Sequence, residues 1–344
     1  MAKKERISYF DTMKGIAIIL VIVHHALGYN GTTIELMLES LRMPIFIFVA
    51  GIFLSFRRGF KILTIKKINR YILPLILFSV LYAIIHDLFL ANITLTHIKS
   101  RIYNYCINLS LSNANEPLWF LKMLFFLCII TYCIEKALPQ KSRILKLAIV
   151  IAVSTAFAYL ILHFDPQRHC GPIAIKVFNS QIPSAMYMLP IYYFAYLYKD
   201  FFLNPPSKKL LLLALPVALI AWYLCAKGPI LYYLAYSNLP YPLLLLAQVS
   251  SVYCCFAVAY ALGRIPIVSY LGQYSLVILG THSIVQILLV YVLNIESKII
   301  VMLVMLLSAP ALIYIFTRYL PHFTAQKDLI KVTDNGKIRI SFRE

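Results

Sequence analysis

Apolar runs of close to twenty residues recur along nearly the whole of this 344-residue chain, and they constrain its fold more than any motif does. A helical run of that length, rising about 1.5 Å per residue, matches the roughly 30 Å hydrocarbon thickness of a bilayer. Inside a membrane, backbone N–H and C=O groups are satisfied only by helices or by a closed barrel. A barrel needs short strands of alternating polarity, and the unbroken Leu, Ile and Val runs contradict that period. The expected fold class is therefore all-α: a polytopic integral membrane protein of about ten transmembrane helices. Spans are drawn at about 8–29, 34–56, 71–91, 117–135, 144–163, 183–199, 209–226, 240–262, 267–293 and 299–320.

Charge gives these spans a direction. A net charge of +19 on a soluble protein would point to nucleic acid. Here the distribution explains it instead: with the N-terminus inside, twenty-three of the 32 Lys and Arg residues fall in cytoplasmic segments, six on the opposite side and three within spans. That bias places both termini in the cytoplasm. Lys3, Lys4 and Arg6 precede the first run as in a signal peptide, but no cleavage site follows, so the first span is expected to be retained. Residues 1–320 read as the transmembrane domain and 321–344 as a short cytoplasmic tail, whose ending GKIRISFRE alternates enough for a short strand but has no core of its own. The longest outer loops, 92–116 and 164–182, are too short to be domains. Internal repeats and paired Gly/Pro-broken helices of the transporter type are not found.

The first span, YFDTMKGIAIILVIVHHALGY from Tyr9 to Tyr29, carries Asp11, Lys14, His24 and His25. Ionisable groups within a span cost roughly 2.5–3.5 kcal/mol each on insertion scales, so four of them indicate a site. At 100° per residue Lys14 and His25 fall within about 20° of each other, with Asp11 within about 40°. All three share one face, and His24 points elsewhere. Lys14 and His25 are roughly 16 Å apart along the axis, so one face addresses about half the hydrocarbon thickness.

Other polar groups are scattered through the remaining spans. The second opens with Glu35 and Glu39 and holds Arg42, for which either carboxylate is a candidate partner; Pro44 and Gly51 allow a bend or a close backbone approach. Six basic residues lie between Arg57 and Arg70, among them Lys66 and Lys67. They suit a lipid surface, and they equally suit phosphate oxygens, to which Lys and Arg supply charge-assisted bonds. The fourth span begins NEPLWFLKMLFF, with Glu116, Trp119 and Lys122; Trp119 has the position of an interfacial anchor. His282 lies in LGQYSLVILGTHSIV. In the assigned orientation His25, Arg42, Trp119 and His282 all fall in the outer half of the bilayer. The seven cysteines include no CxxC and no metal-type Cys/His spacing, so no metal is expected; Cys106 and Cys170 lie in loops where they could pair in an oxidising compartment.

Five stretches, FDTMKGIAIILVIVHH, RMPIFIFVAG, KINRYILP, PLWFL and LGQYSLVILGTH, occur in an order that resembles the membrane O-acyltransferases of acyltransferase family three, the bacterial inner-membrane enzymes that acetylate surface sugars. The family's basic residue and histidine of the first span correspond to Lys14 and His25, and its basic-x-x-Arg motif to Lys67 and Arg70. Lysine at 67 departs from the arginine frequent there and is less suited to bidentate phosphate binding. His24 stands where many members have glycine. The resemblance implies acetyl-CoA or another acyl-CoA as donor from the cytoplasm, and a carbohydrate acceptor, a polysaccharide or lipid-linked sugar, on the outer side. It implies Lys66, Lys67 and Arg70 at the donor phosphates, and His25 as general base with Asp11 holding Lys14 charged. Arg42, Glu116 and Trp119 would shape the acceptor site and His282 would orient the reacting groups, with a covalent acyl-histidine relay as a variant. The alternative is a transporter or flippase for a lipid-linked glycan, in which Lys14, Arg42 and His282 line a pathway.

Overall fold

The computed structural model describes residues 6–28, 32–57, 59–90, 118–164, 181–226, 241–332 and 338–340. Helix dominates them. In chain order the helices are α1 Ser8–Leu27, α2 Thr33–Ile52, α3 Gly59–Lys67, α4 Leu73–Leu90, α5 Trp119–Ala137, α6 Arg143–Phe164 and α7 Ile182–Leu197. There follow α8 Lys199–Leu203, α9 Lys208–Leu213, α10 Leu215–Ala226, α11 Tyr241–Leu262, α12 Pro266–Gln273, α13 Ser275–Ile287 and α14 Lys298–Tyr319. A π-helical turn, Ile68–Ile72, joins α3 to α4, and a second, Leu288–Val292, continues α13. The chain ends in an antiparallel hairpin of β1 Ile330–Val332 and β2 Ile338–Ile340. Glu116, Cys106 and Cys170 lie outside the described residues.

Each of the ten predicted spans falls on helix, and seven helices among the described residues are long and apolar enough to cross a membrane. The other three are α2, α5 and α7. The first two carry charged residues along their length (Glu35, Glu39 and Arg42; Lys122, Glu135 and Lys136), and α7 has only 16 residues. These are inner helices: Tyr192 and Tyr193 of α7 are wholly buried, as are Ile45 and Ile47 of α2. Apolar side chains on the periphery instead point outward, with Leu213 at 76% and Leu307 at 77% exposure. An outer surface of that kind suits a hydrocarbon surround, as expected of a multi-pass membrane protein.

Two predicted spans are broken. The seventh divides at Ala214, two residues before Pro216, whose ring cannot be accommodated behind an unbroken turn. The ninth divides at Tyr274, two residues after Gly272, a poorer helix former than the Leu residues around it. That second break leaves α12 short enough to lie across α1. The crossing is very close. A Cβ on Gly15 would sit 1.9 Å from the Val268 carbonyl oxygen, and one on Gly272 would sit 1.8 Å from that of Asp11. Beside it, Thr12 Oγ1 donates to the Gly263 carbonyl at 2.8 Å or shares a proton with Ser269 Oγ at 2.8 Å. Around α1 stand α2, α11, α12, α13 and α14.

The internal proline of α2 has a similar logic. Pro44 has no N–H to give to the Ser40 carbonyl. That carbonyl accepts the Ser251 hydroxyl of α11 at 2.8 Å, while Ser40 Oγ accepts the indole N–H of Trp222 in α10 at 2.8 Å. The expected close approach at Gly51 is also present, where a Cβ would lie 2.4 Å from the Tyr192 carbonyl oxygen.

Gly272→Ala should destabilise the bundle by about 2 kcal/mol or more, the cost of overpacking a contact that cannot relax. Gly59→Ala, where nothing lies within 4 Å, should cost only about 1 kcal/mol of left-handed backbone strain. Unfolding midpoints in one detergent would rank the two variants.

Candidate active site

α1 runs unbroken for 20 residues, close to the full hydrocarbon thickness, and places its ionisable groups at two levels. At the level near its start, Asp11 joins two cations. Its carboxylate meets Lys14 Nζ at 2.7 Å and Arg6 Nε at 2.7 Å. Arg6 and Arg70 both stand close enough to Lys14 to repel it. Asp11 therefore gives Lys14 an opposite charge within the span, where an ionic group is tolerated only with a partner.

Arg70 belongs to the π turn, and the cause of that turn is Pro74. In an α-helix the ring of Pro74 would strike the carbonyl of Arg70, four residues back; widening the helix by one residue removes the clash. The Leu73 N–H accordingly reaches the Ile68 carbonyl. The turn presents Arg70 and Lys66 to solvent, while Lys67 is half-buried, its ammonium 5.1 Å over the Tyr71 ring and 3.5 Å from the Tyr71 hydroxyl. Tyr71, Arg70 and Cys128 share one neighbourhood with the buried Tyr192, whose hydroxyl lies 3.0 Å from Cys128 Sγ. Lys14 and Lys67 thus both stand within electrostatic reach of Arg70, and Lys66 is exposed nearby in the chain.

At the far end of α1 two imidazoles face each other. The rings of His25 and His282 are 5.0 Å apart between centroids, inclined at 51°. His282 Nδ1 lies 2.9 Å from the Ile278 carbonyl, which can only accept, so Nδ1 carries the proton and the lone pair is on Nε2. The Ser283 hydroxyl, 3.5 Å away, can donate to that lone pair. The His25 ring, by contrast, makes no hydrogen bond among the described residues. Its backbone carbonyl accepts from Gln286 Nε2 at 2.8 Å, which fixes α1 against α13 at this level. Gln286 lies four residues after His282 on the same helical face, a spacing that could have singled it out.

His24, without a role on sequence grounds, has one here. Its Nδ1 lies 2.6 Å from Glu35 Oε1, and Arg42 Nη1 donates to the same oxygen at 3.0 Å. Of the two carboxylates considered for Arg42, Glu35 is the one it bonds. Glu39 Oε2 is buried with no hydrogen-bond partner among the described residues, and the charge of Arg42 reaches His24, His25 and Glu39. A buried ionic group therefore stands directly behind the facing histidines. The start of this network was legible in Thr32-x-x-Glu35, since Thr32 caps α2 by accepting the Glu35 N–H.

Trp119 heads α5, its ring edge-on to Phe120, which in turn meets Phe46 of α2 at 5.7 Å. Lys122, one turn on, is buried.

Together these features define a multi-pass membrane protein whose first helix carries a basic cluster at one level and facing imidazoles at another. The chain belongs to the acyltransferase domain family of acyltransferase family three, which it matches over residues 7–318, and it is an acyltransferase. That match takes in nearly all of α1 to α14 and the site residues above other than Arg6. No curated protein and no solved structure matches the chain.

Removing Glu35 leaves Arg42 buried without its carboxylate, and breaking a buried ion pair costs about 3–5 kcal/mol. Glu35→Ala should lower the unfolding midpoint sharply, and the joint replacement Glu35→Leu with Arg42→Met should recover most of the loss. A thermal-unfolding double-mutant cycle would show the coupling.

Proposed function

We propose that this acyltransferase moves an acyl group, acetyl from acetyl-CoA, from the cytoplasmic side of a bacterial inner membrane to a sugar hydroxyl of a surface or lipid-linked polysaccharide on the outer side. The observation that carries the proposal is one continuous helix, α1, with an ion-paired lysine at one level and a histidine facing a second histidine about 16 Å further on. A donor with an anionic head and a long thin arm suits that interval. The head lies with Lys66, Lys67 and Arg70, where exposed and half-buried cations offer charge-assisted bonds to phosphates. Lys14 stands between that head and the histidine level of α1.

The bias of basic residues toward the end holding Arg6 and Arg70 supports a cytoplasmic donor site, and makes the histidine end the outer one. There the acceptor hydroxyl attacks the thioester carbonyl. His25 Nε2 or Nδ1 takes the hydroxyl proton as the C–O bond forms, the C–S bond breaks, and the same proton leaves on the CoA thiol. Histidine, with an ordinary pKa of about 6.5, suits both steps near neutral pH. His282, its tautomer set by the Ile278 carbonyl, orients the His25 ring and steadies it while it is charged. Arg42 and Trp119, with Glu116, shape the acceptor side.

His25→Ala should cut acetyl-CoA-dependent acylation of the glycan by at least about a hundredfold, within the usual contribution of a general base, without altering the unfolding midpoint. Full transfer by the variant would refute His25 as the base. Neutralising Lys67 and Arg70 together should weaken CoA binding, most at low salt, where exposed phosphate contacts are least screened; unchanged affinity would return these residues to a lipid-facing role. Mass and proton spectra of the surface glycan from cells with and without the protein would identify the acyl group and the hydroxyl.

A further inference from the structure

The segment after α14 packs back onto the bundle. Phe323 sets its ring 5.2 Å from that of Phe78 in α4 and 5.6 Å from that of Phe316. The Gln326 N–H and the Thr324 hydroxyl both bond the Pro321 carbonyl, at 3.1 Å each, so the chain turns tightly into the hairpin. A lone two-stranded hairpin is barely stable in water and needs something to dock on. Among the described residues one side chain, Asn69, makes several of the hydrogen bonds that dock it.

Asn69 is 1% exposed. Its Oδ1 accepts the N–H of Leu329 at 3.0 Å and that of Ile330 at 2.9 Å; its Nδ2 donates to the Ile330 carbonyl at 2.7 Å and to the Ile65 carbonyl at 3.2 Å. A carboxamide has two acceptor sites and two donor hydrogens, and all four are used. Three of the four bonds hold β1 and the residue before it; the fourth holds the helix from which the π turn departs. Asn69 stands between Lys67 and Arg70. The side chain that fastens the hairpin thus lies within the turn that displays the proposed phosphate-binding residues.

The hairpin is also unusual in its charge. With Ile330 and Val332 half-buried on one face, Lys331 is exposed on the other, and the register sets it directly opposite Arg339, also exposed. Two exposed cations at one register, on a hairpin latched to the π turn, offer charge-assisted donors to an anion.

We propose that the C-terminal hairpin is part of the donor site: Asn69 latches it to the π turn and so positions Lys67 and Arg70, while Lys331 and Arg339 add contacts to the phosphates of a nucleotide-bearing acyl donor. This rests on the reading of acyl-CoA as the donor. Asn69 is a positioning residue, and Lys331 and Arg339 are binding residues.

The test is calorimetric titration of the full-length protein in nanodiscs with unacylated CoA, alongside steady-state acyl transfer. Lys331→Gln with Arg339→Gln, two exposed positions whose change leaves the fold intact, should weaken CoA binding about tenfold. Asn69→Ala should raise the KM for the acyl donor, leave kcat and the acceptor KM unchanged, and speed amide exchange at Ile330. Asn69→Asp, which keeps both acceptor bonds, should recover part of the donor affinity. If wild-type protein binds CoA and the Lys331/Arg339 variant binds it equally well, the hairpin is no part of the donor site, and the acyl-CoA reading stands. If wild-type protein does not bind CoA at all, that reading falls and takes this proposal with it.

Discussion

The crossing of α1 over α12, backbone against backbone at Gly15 and Gly272, is the contact on which the rest of the arrangement depends. Lipid tails are as apolar as leucine, so membrane helices gain little by hiding apolar side chains from them; close packing and hydrogen bonds must hold them together instead. Two glycines let the main chains touch, and Thr12 with Ser269 adds the hydrogen bond. The site follows from it. With α12 across the first half of α1, the break at Tyr274 redirects α13 alongside the second half, and His282 arrives opposite His25. A larger side chain at either glycine would push α12 away and carry the second histidine with it.

Much of this was legible in the chain. Each of the ten apolar runs falls on helix, although two are broken, and the 100° arithmetic that set Asp11 and Lys14 on one face agrees with their ion pair. Short-range periodicity suffices for such inferences because a helix fixes its own angles. What the chain does not display is which groups meet across elements. His24 has no role assignable from the sequence, because its partner Glu35 is on another helix and is itself claimed by Arg42. Asn69 lies unremarked between two basic residues of the chain. Its importance comes from residues about 260 positions later, and no local pattern reports that.

The buried charges fall into two kinds. Asp11 with Lys14 and Arg6 sits toward one end of α1, and Glu35 with Arg42 and His24 toward the other; each is a carboxylate shared between two nitrogen-bearing groups. Such groups are weak evidence of stability, since well-packed apolar residues of the same volume commonly do as well. Their retention within helices otherwise built from Leu, Ile and Val therefore argues for use rather than support. One brackets the proposed entry of the donor, and the other stands behind the proposed base.

The prolines show how a bundle of this kind makes room for such groups. Inside a membrane every backbone carbonyl released by a proline must find another donor, because no water is at hand. Pro44 releases the Ser40 carbonyl, and the Ser251 hydroxyl of α11 takes it, so a local defect becomes a bond between helices. Pro74 opens the helix into a π turn, which moves Arg70 off the regular α-helical path and into the position where it faces Lys14. In a soluble helix each would read as a kink. Here the missing N–H is what gives the neighbouring helix something to bind, and the widened turn leaves Arg70 exposed yet within electrostatic reach of Lys14.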